Sequence, residues 1–208
     1  MKVTLLNSYF NEDVAKLATA NCVGKIDEPL SDKGLQVAIN SKHYSVLEHL
    51  PLTFLVRDVS RVTEVQLVRH RIASYSIKSG RYTKADNTNL WYQIPKSISN
   101  NDSIMESFIK MNEDIYSFYT KMVEQGIPKE DARYILPQGL LTDIVVSMNA
   151  RAFIEQCEKR LCKKAQWEIR EMYTQMKECI KYIYPTVYEQ LGPPCLKGRC
   201  TEVYSCKK

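Results

Sequence analysis

Between Pro51 and Arg71 the chain changes its hydrophobic repeat, and that change limits the folds open to it. Leu52-Thr53-Phe54-Leu55-Val56-Arg57-Asp58-Val59 is rich in β-branched and aromatic residues, as a strand is. Ser60 can cap a helix, and Val62, Val65 and Val68 then recur at helical spacing. The helix is expected to end in the basic triplet Arg69-His70-Arg71.

The same mixture runs through the rest of the chain. Residues 2–10 read as a first strand and 12–21 as a helix. Ser31 is placed to cap a helix over 32–42. Residues 72–101 are polar and read as an ordered loop with an extended piece at 90–94. From Asp102 to Gln125, Ile104, Phe108, Met111, Ile115, Phe118, Met122 and Val123 recur at helical spacing. Gly126 suits the end of that helix and Pro128 the start of the next. Leu140–Met148 fits either a strand or a buried helix, and periodicity does not choose between them. A last helical region is expected from about 150 to 184, broken near 162–164 and stopped by Pro185. The sum is an α+β fold, read as one domain over 1–192 with a cysteine-containing tail over 193–208.

At 208 residues, roughly 70% of the unfolded surface can be buried, enough for one core. No stretch approaches the ~18 consecutive apolar residues of a membrane span, so no membrane association is expected. The seven cysteines, without a secretion signal, read as the thiols of a cytoplasmic protein.

The seven glycines include neither G-x-G-x-x-G nor G-x-x-x-x-G-K-[ST], which speaks against a Rossmann nucleotide site and a P-loop. His43, Glu48 and His49 stand as H-x-x-x-x-E-H, which is neither zinc-protease order. Cys195, Cys200 and Cys206 lack the tight Cys-x-x-Cys pairs of structural zinc sites. No metal site is expected.

The formal charge of +5 raises the question of an anionic partner. The densest signal is Arg69-His70-Arg71-Ile72-Ala73-Ser74-Tyr75-Ser76-Ile77-Lys78-Ser79-Gly80-Arg81-Tyr82. Guanidinium forks suit phosphate, and Ser79-Gly80 permits close backbone approach. Further arginines follow at 133, 151 and 160. Removing the six at 69, 71, 81, 133, 151 and 160 turns +5 into −1. One reading is a basic nucleic-acid module stacking bases on Tyr75, Tyr82, Trp91 and Tyr92. Against it, the arginines are dispersed over several segments and form no stripe, so no nucleic acid is expected as a partner.

Arg69-His70-Arg71, then seven residues, then Ser79, resembles the R-H-R-x7-S signature of the flavin-dependent thymidylate synthases. Five further blocks resemble that family in its order: His43-x-Ser45-x-x-Glu48-His49, Ser79-Gly80-Arg81-Tyr82, Ala132-Arg133-x-x-Leu136-Pro137, Asn149-Ala150-Arg151, and Arg160 followed by Ala165-Gln166-Trp167-Glu168-Ile169. The resemblance implies a mainly antiparallel sheet flanked by helices, and a homotetramer with active sites at subunit interfaces. It implies reductive methylation of dUMP to dTMP, with 5,10-methylenetetrahydrofolate as carbon donor and FAD, reduced by NADPH, as hydride carrier.

Carried over by position, the resemblance assigns FAD to Ser45, Arg69, His70, Arg71, Ile77, Asn149, Ala150, Arg151 and Glu155. It assigns dUMP to Gln66, Arg69, Ile77, Lys78, Ser79, Gly80, Arg81, Arg133 and Arg160. His43 and Glu48 would shape the folate and flavin side. Arg160 would be the catalytic residue, favouring ionisation of the uracil. Three positions depart from the family's usual pattern: Ser76-Ile77 where Asn-Glu is common, Glu155 where His or Asn is common, and Lys164 where His is common. Ile77 and Glu155 motivate a further reading, a family member that binds FAD or nucleotide without turnover.

Overall fold

The structure, a computed structural model, describes residues 1–7, 11–83, 91–198, 200, 203 and 206. The chain divides into two compact units. The first comprises Met1–Arg57, Gln66–Ser76 and Ile144–Lys208, and the second Asp58–Val65 and Ile77–Asp143.

Four strands, β1 (Lys2–Leu5), β2 (Pro51–Ser60), β3 (Ser74–Ile77) and β4 (Leu141–Asn149), form one mainly antiparallel sheet in the order β1-β2-β4-β3. In β1 and β2, Val3 pairs with Val56 and Leu5 with Phe54, antiparallel. The ambiguity over 140–148 resolves as strand: Thr142, Ile144, Val146 and Met148 are buried and alternate with half-covered residues. The fold is α+β, as the sequence implies. Two readings change. The first strand is shorter than 2–10, and residues 8–10 lie outside the described residues. The expected loop over 72–101 contains β3, whose Ser-Tyr-Ser-Ile is too short and too polar to show a strand repeat. Leu90, at the start of the expected extended piece, lies outside the described residues; within that piece Tyr92 bridges Leu140.

In the first unit, Leu52, Phe54 and Val56 of β2 and Ile144 and Val146 of β4 are buried. Helices α7 (Ala150–Arg160) and α8 (Trp167–Cys179) add Phe153 and Tyr173 to this core. Phe54 lies 5.6 Å from Phe153, which stacks on Tyr173 at 6.1 Å. Each such ring contributes about 1.5–3 kcal/mol through burial. Helices α1 (Asp13–Cys22) and α2 (Asp32–Asn40) pack on one another, and the Ser31 hydroxyl caps α2 by accepting the Gly34 N–H. Buried Glu12 accepts the Val187 N–H at 2.9 Å, tying the start of the unit to its last helix. Pro185 does not stop a helix: α8 ends at Cys179, and Pro185 opens α9 (Pro185–Tyr188) as an N-terminal proline can.

The second unit carries α4 (Lys96–Ser99), α5 (Asp102–Glu124) and α6 (Lys129–Ala132). Asn101 caps α5 by accepting the Ile104 N–H, and Gly126 follows its end at φ +86°. The packed face of α5 keeps part of the expected one, with Phe108, Ile115, Met122 and Val123 half-buried. Asn112 and Tyr119 are buried, while Ile104, Met111 and Phe118 stay exposed. The reason is an aromatic cluster: Phe108 meets Tyr92 at 5.7 Å, and Tyr116 meets Trp91 at 5.4 Å and Tyr119 at 6.3 Å.

Helix α3 (Arg61–Leu67) starts where the Ser60 hydroxyl accepts the Thr63 N–H, as expected, but it ends before Arg69. Val62, Val65 and Val68 are exposed, so among the described residues the expected apolar face is not packed into the core. Just before α3, Asp58 adopts φ +56°. The burial alternation of β2 breaks there, with Arg57 and Asp58 both exposed and Val59 and Ser60 both buried, as a bulge requires. The Asp58 N–H donates to Asp143 Oδ1 at 3.1 Å. Asp58→Gly should hold stability within about 1 kcal/mol, whereas Asp58→Val should lose on the order of 1–2 kcal/mol, because a β-branched residue resists positive φ. Urea unfolding compares them; equal midpoints would remove the strain argument.

Candidate active site

The first unit gathers one set of the expected residues. Arg160, in the last turn of α7, donates from Nε to His70 Nε2 at 2.9 Å and from Nη2 to the Gln66 carbonyl at 3.0 Å. Both partners are neutral acceptors, so the guanidinium is oriented without being neutralised. His70 is half-buried, and burial with the nearby charges of Arg160 and Lys159 pushes its pKa down to about 4. With Nε2 accepting, the neutral ring carries its proton on Nδ1. Arg69 and Arg71 flank it, exposed and without an ion-pair partner among the described residues.

The turn bearing this triplet is held by Tyr75 of β3. Its hydroxyl reaches the carbonyl oxygens of His70 at 2.7 Å and Leu67 at 3.0 Å. Burial pushes the Tyr75 phenol up to about 12, against a small opposing effect of Arg160, so it remains a donor at neutral pH. Behind His70, Tyr173 lies at 6.2 Å and donates to Gln156 at 2.5 Å in the core.

A second set lies where α7 begins. Asn149 caps the helix, its Oδ1 accepting the Ala152 N–H at 2.9 Å. Ala150 is fully buried and donates its N–H to the Leu50 carbonyl. Arg151 points to solvent and pairs with two carboxylates, Glu48 at 2.6 Å through Nη1 and Glu155 at 3.3 Å through Nε. Glu48 comes from the 3-10 turn Tyr44–His49, which packs on α7 through buried Val46 and Leu47 and leaves Ser45 and His49 exposed. His43, also exposed, precedes that turn and follows Lys42 at φ +62°.

In the second unit, the Ser79 carbonyl accepts the Tyr82 and Thr83 N–H groups, and its Oγ accepts the Arg81 N–H at 3.3 Å. Ser79 thus builds a turn. The Lys78 N–H donates to the Asp143 carbonyl beside half-buried Ile77. Arg81 pairs with Glu130 at 3.0 Å, and Arg133 donates from Nε to the Glu130 carbonyl at 3.1 Å. A Cβ at Gly80 would sit 3.5 Å from the Arg133 side chain, so glycine leaves room for that stem. One glutamate therefore organises both arginines expected to contact dUMP in this unit.

The family described as thymidylate synthase complementing protein matches residues 4–186. A flavin-dependent thymidylate synthase of Geobacter sulfurreducens is 41% identical over 160 residues, covering 77% of this chain and 69% of that protein. The one from Pyrococcus furiosus is 40% identical over 185 residues, covering 86% and 76%. The chain belongs to the flavin-dependent thymidylate synthase family. The match to the Sulfolobus acidocaldarius member, 41% identical, covers 76% of this chain and 60% of that protein. A solved structure with the same fold is a UMP/dUMP methylase, PolB, from Streptomyces cacaoi bound with 5-Br dUMP. It superposes with a TM-score of 0.78 at 24% identity, over 91% of this chain and 93% of that one.

Within this family member, Glu130 and Tyr75 hold expected site residues without having been expected themselves. Glu130 lies three residues before Arg133, a spacing that could have suggested it. Tyr75 carried no signal beyond its place in the basic segment. Of the four aromatics in the base-stacking reading, Trp91 and Tyr92 are buried and Tyr75 is bonded to the backbone, while Tyr82 stays exposed. Among the described residues no three His, Cys, Asp or Glu side chains group to hold a metal ion, and no helix is long and apolar enough to cross a membrane.

Two outcomes follow. Tyr75→Phe should lower stability by about 1–2 kcal/mol in urea unfolding, because half-buried carbonyls at the end of α3 lose their donor. His70 disfavours its charged form when folded, while the unfolded chain takes the proton near 6.5. Its contribution is therefore present above pH 6.5 and lost as pH falls toward about 4. Unfolding measured across that window should show a steeper pH slope in the wild type than in His70→Asn.

Proposed function

We propose that the chain is a working thymidylate synthase that methylates dUMP to dTMP. The observation that carries this reading is Arg160, a guanidinium held on two neutral acceptors, His70 and the Gln66 carbonyl. Methylation at C5 requires electron density to be driven into the pyrimidine, and a fixed, uncompensated positive charge stabilises the anion that develops there. Arginine stays protonated, so Arg160 stabilises charge and does not act as a base.

Family membership and the donor set together support a flavin. Exposed Arg69 and Arg71, the Nδ1–H of His70, the amide of Asn149 and the fork of Arg151 suit a ligand carrying phosphates and hydrogen-bonding rings. We assign FAD to these residues together with Ser45, Ile77, Ala150 and Glu155, with His43 and Glu48 on the folate side. When bound, the flavin supplies the hydride, NADPH replenishes it, and methylenetetrahydrofolate supplies the carbon. We assign the dUMP phosphate to Ser79, Gly80, Arg81 and Arg133, helped by Lys78, and the base to Gln66, Arg69, Ile77 and Arg160. On this reading no protein nucleophile is needed, and the hydroxyl of Ser79 serves the turn.

We further infer a homotetramer whose subunits complete one another's sites. The uncovered valines of α3 and the exposed Ile104, Met111 and Phe118 of α5 support such burial. A cytoplasmic setting fits the free thiols, and residues 1–192 are proposed to act as one catalytic domain followed by the tail.

Arg160→Ala should remain folded and bind FAD, yet lose turnover on the order of 10²- to 10³-fold. Tritium release from C5-labelled dUMP measures it. Near-wild-type release by that variant would overturn the role of Arg160. Expression of the wild type in a thymidine auxotroph should restore growth without thymidine, which binding without turnover would not do.

A further inference from the structure

Arg151 is the one guanidinium in the first unit's set that two carboxylates hold at once. The two contacts are unequal. Glu48 reaches Nη1 at 2.6 Å from a separate element, the 3-10 turn, across a sequence gap that fixes where the fork lies. Glu155 reaches Nε at 3.3 Å from one helical turn further along α7. All three side chains are nearly half exposed, so water is available to replace either contact. An exposed pair of this i,i+4 kind is weak. Two negative charges on one positive charge also leave the cluster net negative, which opposes an arriving phosphate.

We propose that Glu155 is a releasable counter-ion that competes with the cofactor's diphosphate for Arg151, while Glu48 is the anchor that keeps the fork aimed. This rests on the assignment of FAD to Arg151. As the diphosphate binds, the Nε contact to Glu155 gives way and the Nη1 contact to Glu48 stays. Glu155 thereby lowers the affinity of this chain for FAD from within the FAD site, and the two glutamates have opposite effects although both are carboxylates on the same side chain.

The test is FAD binding to the purified, flavin-stripped full chain at fixed ionic strength, read by quenching of flavin fluorescence, with riboflavin as a probe lacking the diphosphate. Glu155→Gln should tighten FAD by roughly threefold to tenfold and leave riboflavin unchanged. Glu48→Gln should weaken FAD, because the freed fork loses its direction. Both substitutions are isosteric and exposed, and thermal melts of the stripped proteins check that neither alters the fold. Unchanged or weaker FAD binding by Glu155→Gln would overturn the proposal, as would equal tightening of riboflavin. Tightening by Glu48→Gln to the same degree would overturn the division of roles. A wild type that binds no FAD at all would instead defeat the flavin assignment itself, and the proposal with it.

Discussion

Helix α7 begins where Asn149 Oδ1 accepts the Ala152 N–H, and Arg151 and Arg160 take their places from that cap. The residue before the helix ends β4, so its backbone is already fixed by the sheet. The Ala150 N–H, bound to the Leu50 carbonyl, ties the same point to the end of the 3-10 turn. With that end fixed, Arg151 lies in the first turn beside Glu48, and Arg160 lies in the last turn beside His70. Buried Phe153, Ile154 and Cys157 hold the intervening face on the core. A helix fixed at one end and packed along one side carries its charges as a rigid ruler.

The arginines divide by the partners they keep. Arg151 and Arg81 rest on carboxylates, and Arg133 rests on a backbone carbonyl. Arg160 rests on an imidazole and a carbonyl. Arginines on carboxylates are locally compensated, and an anionic ligand must displace or outbid the glutamate. Arg160 keeps its full charge. The chain's formal +5 is thus distributed as guanidinium groups in two electrostatic states, which bulk composition does not reveal.

Much of this was legible in the sequence, for local reasons. Ser31 and Ser60 are short polar caps ahead of helical repeats, and each caps as its type predicts. The arginine blocks were visible because the residue type itself carries the chemistry. What escaped depends on tertiary neighbours. Ser74-Tyr75-Ser76-Ile77 becomes a strand only beside β4, and Tyr75 becomes the clamp of the Arg-His-Arg turn only once that strand is laid down. On α5, Tyr116 and Tyr119 pack their rings on Trp91 and on one another, contacts that helical spacing of aliphatic residues does not show. Glu130 is an unremarked surface acid until the turn at Ser79 brings Arg81 to it.

The pairing of Arg160 with His70 is self-reinforcing. A carboxylate in place of His70 would hold the guanidinium more strongly, but it would cancel the charge on which the proposed role of Arg160 depends. A neutral imidazole orients without cancelling. It stays neutral partly because Arg160 itself, together with burial and Lys159, drives its pKa down to about 4. The positive charge that must be preserved therefore suppresses protonation of its own support, and Nε2 remains an acceptor throughout the neutral range. Tyr75 completes the arrangement from the other side of the turn by fixing the backbone of His70 through its carbonyl, leaving the ring free to accept from Arg160.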